Sequence, residues 1–294
     1  MTGQIGRKEN RLLRGGGLWE TKCKCYYKLV NPDLLEKEQK SIYIIREANE
    51  KFKKVGILWS VGKDSTTIIH LVKKAFFGQV PFPVIHVDTS FKFPEMIEFR
   101  DKLTKEWGLN LLVAQNKKAL AEGMNHTKGR LECCGALKTK GLKQFLQKEG
   151  FDAILVGIRR DEHGIRAKER YFSPRDKEFR WDPKNQPPEL WDFYSSLGQE
   201  HDHIRVHPIL HWTEQDVWEY IKQENIPVNP LYFAKDGHRY RSLGCAPCTM
   251  PVNSNADTIE KIIEELGTTK VSERSGRDQD KEYMMEKLRA LGYM

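Results

Sequence analysis

The chain has 294 residues, 39% of them hydrophobic and 31% charged, which is enough for one large α/β domain with appendages. Its formal charge of +8 suits nucleic acid, a small anionic substrate or an acidic partner equally well, so charge alone selects none of them. No apolar run is long enough to cross a bilayer as a helix and MTGQIGRKENRLLRGGG lacks the apolar stretch of a secretory signal, so a soluble, cytoplasmic protein is expected.

Residues 1–37 read as a basic extension, its charge carried by RKENRLLR and KCK; a solvated arm is the plain reading and a nucleic-acid-binding arm the other. Residues 38–225 alternate β-type runs with helical periodicity. VGILWS (55–60) leads into STTIIHLVKKAF, and PVIHVD (83–88) into EMIEFRDKLTKEW. NLLVAQ (110–115) follows, and GALKTKGLKQFLQKEG precedes DAILVG (152–157). The polar stretch SPRDKEFRWDPKNQPPELWD is expected to be loop and to stay out of the core. After the run IRVHPIL (204–210), TEQDVWEYIKQENIP predicts a helix capped by Thr213, with Asp216 three residues on and a stop at Pro227. Residues 226–294 supply a cysteine-bearing loop and a helical tail, DTIEKIIEELG and QDKEYMMEKLRALG, expected to pack on or over the active site. Strands that alternate with helices predict an α/β fold, a mostly parallel twisted sheet with helices on both faces. Such sheets bind ligands beyond the carboxyl ends of the strands, where the strand order reverses.

The first strand runs directly into Ser60-Val61-Gly62-Lys63-Asp64-Ser65-Thr66 and then a helix. A strand that turns through glycine into a helix N-terminus collects unpaired backbone N–H groups and the positive end of a helix dipole around an anion. Lys63 adds charge, and Ser60, Ser65 and Thr66 add hydroxyls. The loop resembles the SxGKDS signature of the PP-loop ATP pyrophosphatases, with their adenine nucleotide alpha hydrolase-like fold, and lacks the longer glycine-spaced span of a Walker A loop. Asp88, at the carboxyl end of the second strand, is placed to meet nucleotide or magnesium; the plainer reading is a turn residue.

From about residue 38 to the end, SVGKDST, FGQVPFPVIHVDTSFKFPEMIEFRD, GIRRDEHGIRAKER, WDPKNQPPELWDFY, IRVHPILHWTEQDVWEYI and SERSGR are similar, in order and wording, to the small catalytic subunit of two-subunit bacterial sulfate adenylyltransferase. The resemblance implies that ATP and sulfate, with magnesium, give adenosine 5′-phosphosulfate and pyrophosphate, and that a GTP-hydrolysing large subunit is the partner. It assigns pyrophosphate to Ser60, Gly62, Lys63, Asp64 and Ser65, while Thr66, Asp88 and Arg241 are expected to complete the nucleotide-binding set. Lys63, Asp64, Arg159, Arg160 and Asp161 become the catalytic set, since paired guanidinium groups suit a multiply charged oxyanion. Arg166, Lys168 and Arg170 continue that basic strip, and Arg239 and Arg241 approach from the later loop.

The cysteines depart from that family. Glu132-Cys133-Cys134-Gly135 with Cys245-Ala246-Pro247-Cys248 resembles the CC…CxxC arrangement of iron–sulfur adenylylsulfate reductases, which implies a [4Fe–4S] cluster on Cys133, Cys134, Cys245 and Cys248 in preference to zinc. Inert buried thiols are the plain alternative. Such a cluster is expected to pin the loop of Arg239 and Arg241 to the nucleotide-binding core. Cys23 and Cys25 read as surface thiols, and His201, His203, His207 and His211 as ordinary polar and core positions rather than a zinc site.

Three other functions remain open. Cluster-bearing PP-loop proteins that adenylate DNA or RNA before thiolation fit the basic arm, and this is the runner-up; a non-catalytic ATP-sensing subunit fits the loop alone. Reduction of adenylylsulfate or phosphoadenylylsulfate ranks third, because no cysteine after Cys248 stands ready to take the sulfonate.

Overall fold

The computed structural model describes residues 31–191, 193–194, 203–269 and 273–274. Its first helix, α1 (Pro32–Lys51), starts where the Asn31 side chain accepts from the Asp33 N–H and Pro32 supplies a preset φ, and it buries Leu34, Ser41, Ile44, Ile45 and Ala48 on one stripe. It continues unbroken across residue 37, where the basic extension was expected to end.

The body then follows as β1 (Val55–Leu58), α2 (Lys63–Ala75), β2 (Val84–Val87), α3 (Pro94–Glu106), β3 (Leu111–Ala114) and the short α4 (Lys117–Ala121). A helical run comes next: α5 (Arg130–Cys133), one π-helical stretch over Cys134–Lys140, and α6 (Gly141–Glu149). It returns the chain to β4 (Ala153–Val156), followed by β5 (Phe172–Arg175), the hairpin strands β6 (Glu189–Leu190) and β7 (Phe193–Tyr194), and β8 (His203–Val206). Last come α7 (Glu214–Glu224), β9 (His238–Arg239), β10 (Val252–Asn253) and α8 (Ile259–Thr268).

Six strands form one sheet in the order β3-β2-β1-β4-β8-β5, parallel throughout except for β5, which runs antiparallel to β8. Every residue of β1, β2, β4 and β8 is buried. Successive side chains point to opposite faces, so both faces of this central sheet are covered; β1 and β4 accordingly read as unbroken apolar runs, whereas β2 buries His86 and β8 buries His203 and Arg205. Edge strand β3 is the exception, with Val113 exposed. On α7 the expected cap is complete: Thr213 accepts from the Asp216 N–H, Asp216 accepts from the Thr213 N–H, and Asn225 closes the helix in a left-handed conformation.

The stretch SPRDKEFRWDPKNQPPELWD corrects its assignment as loop outside the core. Its first residues complete β5, with Ser173 and Arg175 buried, and Phe179 and Trp181 are buried as well. Arg175 is accommodated by the equally buried Glu169 carboxylate at 3.0 Å and by the Ser173 hydroxyl at 2.7 Å, so a polar sequence fills an interior position through paired charges. The expected helix at QDKEYMMEKLRALG, together with Cys23, Cys25 and His201, lies outside the described residues.

The chain winds outward from β1 through β2 to β3, then crosses back to β4 on the other side. The reversal therefore lies between β1 and β4, and the loops leaving their carboxyl ends, 59–62 and 157–161, face one another.

Candidate active site

Two glycines let these loops meet. A Cβ on Gly157 would come within 3.0 Å of the Ser65 nitrogen and 3.2 Å of the Asp64 carbonyl carbon, so the end of β4 lies directly against the first turn of α2. A Cβ on Gly62 would stand 3.2 Å from the Tyr232 hydroxyl. The left-handed residue of the bend is not glycine but Val61, with φ at 67°; a β-branched residue tolerates that only where its surroundings over-determine it.

Hydrogen bonds supply that constraint. Buried Thr66 accepts from the Trp59 indole N–H at 3.0 Å and donates to the Gly62 carbonyl at 2.9 Å, while the Ser65 hydroxyl donates to the same carbonyl at 3.1 Å. Beneath the loop, His86 of β2 contacts the Trp59 carbonyl through Nδ1 at 3.0 Å. Burial, and next the charge of Lys92, bring its pKa down to about 4, so the imidazole is neutral and Nδ1–H is the donor. Tyr232 accepts from the Lys63 N–H at 2.9 Å. Thr66 thus shapes the loop from inside, whereas Ser60, Gly62, Asp64 and Ser65 line the cleft in front of it.

The charged groups converge at the same point. Lys63 Nζ lies 3.1 Å from Asp64 and 2.5 Å from Glu273; Arg159 binds Asp64 through Nη1, Glu273 through Nη2 at 2.5 Å, and Asp161 through Nε at 2.9 Å. The Lys63 and Arg159 side chains are fully buried. Burial works against the Arg159 charge, but Glu273 and Asp161 outweigh it and hold the guanidinium more firmly protonated than usual. Burial also penalises the Glu273 carboxylate, yet Lys63 and Arg159 hold it well below the usual carboxylate range. Next to this group Glu162 is paired with Arg166, and Arg274 lies 3.3 Å from it.

Other expected residues stand elsewhere. Arg160 lays its guanidinium over the Tyr171 ring at 5.3 Å and does not line the cleft. Arg239 is tied to Glu265 of α8 at 2.7 Å, and Arg241 to Glu214 at the start of α7 at 2.7 Å, so both fasten the later loop to helices. Asp88 accepts from the Ser90 N–H at 2.7 Å and from Gln115 at 2.9 Å, a turn-stabilising role at the end of β2. Arg166 lines the cleft as expected; Lys168 is exposed. Glu162, Tyr232 and Glu273 were missed. GIRRDEHGIRAKER and SERSGR carried two of them in plain view, but no spacing rule marks a carboxylate that meets its lysine 210 positions away.

The four expected cysteines come from two segments whose thiols influence one another electrostatically. Cys134, Cys245 and Cys248 all lie within electrostatic reach of Cys133, whose thiol is pushed up to about 11 by burial and then by these neighbours. Burial also raises the Cys134 thiol, with Lys138 opposing it. Cys134 begins the π-helical stretch, a bulge frequent at functional sites; Cys245 meets the Thr89 hydroxyl at 3.1 Å, and Ala246 N–H donates to the Phe91 carbonyl at 2.8 Å. Four soft sulfurs from two facing segments fit an iron–sulfur cluster or zinc by donor type. Among the described residues, however, no group of three or more His, Cys, Asp or Glu side chains is spaced as it stands to grip an ion. Lys92 and Lys138, whose charges oppose the upward push of burial on the Cys134 thiol, also line the cleft. His203 and His207 are buried on and after β8; His207 donates through Nδ1 to the Arg170 carbonyl at 2.8 Å, and burial, with Arg175, holds its ring neutral.

Comparison with known proteins agrees with this architecture. Residues 54–251 match the phosphoadenosine phosphosulfate reductase domain. The sulfate adenylyltransferase subunit 2 of Shewanella frigidimarina is 45% identical over 293 residues, spanning 88% of this chain and 97% of the relative. Among solved structures, phosphoadenylyl-sulfate reductase from Candida auris superposes with a TM-score of 0.52 at 16% identity, covering 75% of this chain and 98% of that one. The Candida glabrata FMN adenylyltransferase in complex with ATP gives 0.56 at 17% identity, covering 90% and 86%. These two likenesses establish the mostly parallel α/β fold, and the chain belongs to the sulfate adenylyltransferase subunit 2 family, on a phosphoadenosine phosphosulfate reductase domain.

Proposed function

We propose that this chain transfers the adenylyl group of ATP to sulfate, releasing pyrophosphate and adenosine 5′-phosphosulfate. The observation that carries the reading is the phosphate loop at the sheet's reversal point, Ser60–Ser65, in a chain 45% identical to sulfate adenylyltransferase subunit 2 over nearly that relative's whole length. In this reaction a sulfate oxygen attacks the α-phosphorus and pyrophosphate leaves. Charge accumulates on the leaving group, so preset donors there lower the barrier. The N–H groups at the start of α2, with Lys63 and Arg159, are such donors, and Asp64 holds both cations in place. Sulfate is a weak nucleophile, and the remaining requirement is alignment in a confined cleft. Magnesium enters with ATP as part of the substrate.

Cys133, Cys134, Cys245 and Cys248 would hold a [4Fe–4S] cluster, which would supply a rigid tie between the 241–248 loop and the core next to the cleft. Relatives named subunit 2 support a companion subunit, and we assign that place to a GTP-hydrolysing large subunit that drives the uphill step. No helix among the described residues is long and apolar enough to cross a membrane, and we place the enzyme in the cytoplasm. The test is pyrophosphate release by the chain with its companion subunit, GTP and ATP, with and without sulfate. Sulfate-dependent release is expected; turnover that ignores sulfate and appears only with DNA or RNA would replace this reading with nucleic-acid adenylation.

A further inference from the structure

Glu273 occupies the place where the proposed reading puts a phosphate. Its two carboxylate oxygens are divided between Lys63 Nζ and Arg159 Nη2, each at 2.5 Å, and the Lys63 and Arg159 side chains are fully buried. The carboxylate comes from beyond α8, 210 positions from Lys63, and is itself buried. The neighbouring Arg274 lies 3.3 Å from Glu162, and both residues line the cleft beside Ser60, Gly62 and Ser65.

Charge and space lead to the same conclusion. Lys63, Arg159, Arg166 and Arg274 meet Asp64, Asp161, Glu162 and Glu273, four cations and four anions, so this ion-paired group is neutral without any ligand. Asp64 and Asp161 already neutralise the cation pair, and Glu273 takes from each cation a further donor that a phosphate would otherwise use, which keeps both cations fully paired while the site is empty. A multiply charged phosphate cannot be added to a balanced group in a low-dielectric cleft without repulsion from the carboxylates already there. Only about 120 Å³ of the cleft remains open, against roughly 300–1,000 Å³ for pockets that take drug-sized ligands.

We propose that Glu273 is a resident counter-anion of the pyrophosphate subsite: it holds Lys63 and Arg159 in place when the cradle is empty, gives way to the β- and γ-phosphates of ATP, and returns as pyrophosphate leaves. The proposal rests on the reading of the loop as a pyrophosphate cradle. It adds that the cradle works by exchange of anions. Glu273 is therefore an affinity-setting residue, and its carboxylate competes directly with the leaving group.

The experiment is titration of the full chain with magnesium-free inorganic pyrophosphate at fixed ionic strength, for wild type, Glu273→Gln and Lys63→Ala. Removing the competing charge while keeping the shape is expected to tighten pyrophosphate binding at least tenfold in Glu273→Gln, and Lys63→Ala to weaken it. Equal or weaker binding by Glu273→Gln, with wild type still binding and Lys63→Ala still impaired, overturns the exchange but leaves the loop assignment standing. Absence of binding by both wild type and Glu273→Gln removes the loop assignment and the exchange together. A second readout needs no variant: pyrophosphate is expected to speed tryptic cleavage after Arg274 several-fold in the wild-type chain, since Glu273 and Arg274 leave the cleft together. Unchanged or slower cleavage there contradicts the proposal.

Discussion

Replacing Gly157 by alanine tests how closely the two loops must meet. The added methyl would stand 3.0 Å from the Ser65 nitrogen, 3.2 Å from the Asp64 carbonyl carbon and 3.3 Å from the Asp64 Cβ. The first two are backbone atoms of the first turn of α2 and cannot rotate away, so that turn must move by a few tenths of an ångström. A misplacement of 1 Å at a reacting group costs on the order of 10²-fold in rate, and a shift of under half that size corresponds to roughly five- to tenfold. Overpacking adds about 1–3 kcal/mol of destabilisation. Gly56→Ala is the control: its methyl would meet the Ile85 and Phe151 side chains at 2.8 and 2.9 Å, in the core and away from the cleft. Both variants should melt lower, but only Gly157→Ala should lose turnover, measured as sulfate-dependent pyrophosphate release with the companion subunit. Wild-type turnover in a folded Gly157→Ala enzyme would refute the argument that β4 and the start of α2 must touch for catalysis.

Thr66→Val removes the acceptor of the Trp59 indole N–H and the donor to the Gly62 carbonyl, both buried; about 1–3 kcal/mol of stability should be lost, read from denaturant unfolding, together with pyrophosphate affinity. Cys134→Ser should lower iron content and brown colour in anaerobically purified protein, whereas colourless, iron-free wild type would show that the thiols hold no cluster. Asp216→Asn should cost about 1 kcal/mol at neutral pH by weakening the α7 cap. Burial alone would raise the Asp216 carboxyl, but the Lys37 and Thr213 hydrogen bonds prevail and lower its pKa below 3.8. A depressed folded pKa contributes stability above the unfolded value and loses it as pH falls, so the gap between wild type and Asp216→Asn should close below about pH 3.8.

What could be read in advance follows from how local each signal is. The strands β1 and β4 announce themselves because burial on both faces demands an unbroken apolar run, and β2 departs from that pattern only at His86. The cap of α7 and the phosphate loop are written within a few consecutive residues. Strand β5 escaped because its sequence, FSPR, is polar, and its buried arginine is tolerated through Glu169, six positions earlier, and the Ser173 hydroxyl. Helix α1 had a signal that would have sufficed, Asn31 followed by Pro32 and an apolar stripe. Arg160 and Arg159 are adjacent and chemically alike, yet only Arg159 enters the charged group; the Tyr171 ring that takes Arg160 comes from elsewhere in the fold. Glu273 depends on a contact across most of the chain, which neither periodicity nor spacing encodes.

The account depends on backbone amides at the bend between β1 and α2 receiving the two phosphates that leave. A crystal soaked with a non-hydrolysable ATP analogue and magnesium should show the β- and γ-phosphates within hydrogen-bonding distance of the amides of residues 62, 64 and 65, with Lys63 Nζ turned onto them. Phosphates bound elsewhere, or a bend that stays closed with nucleotide present, would contradict it.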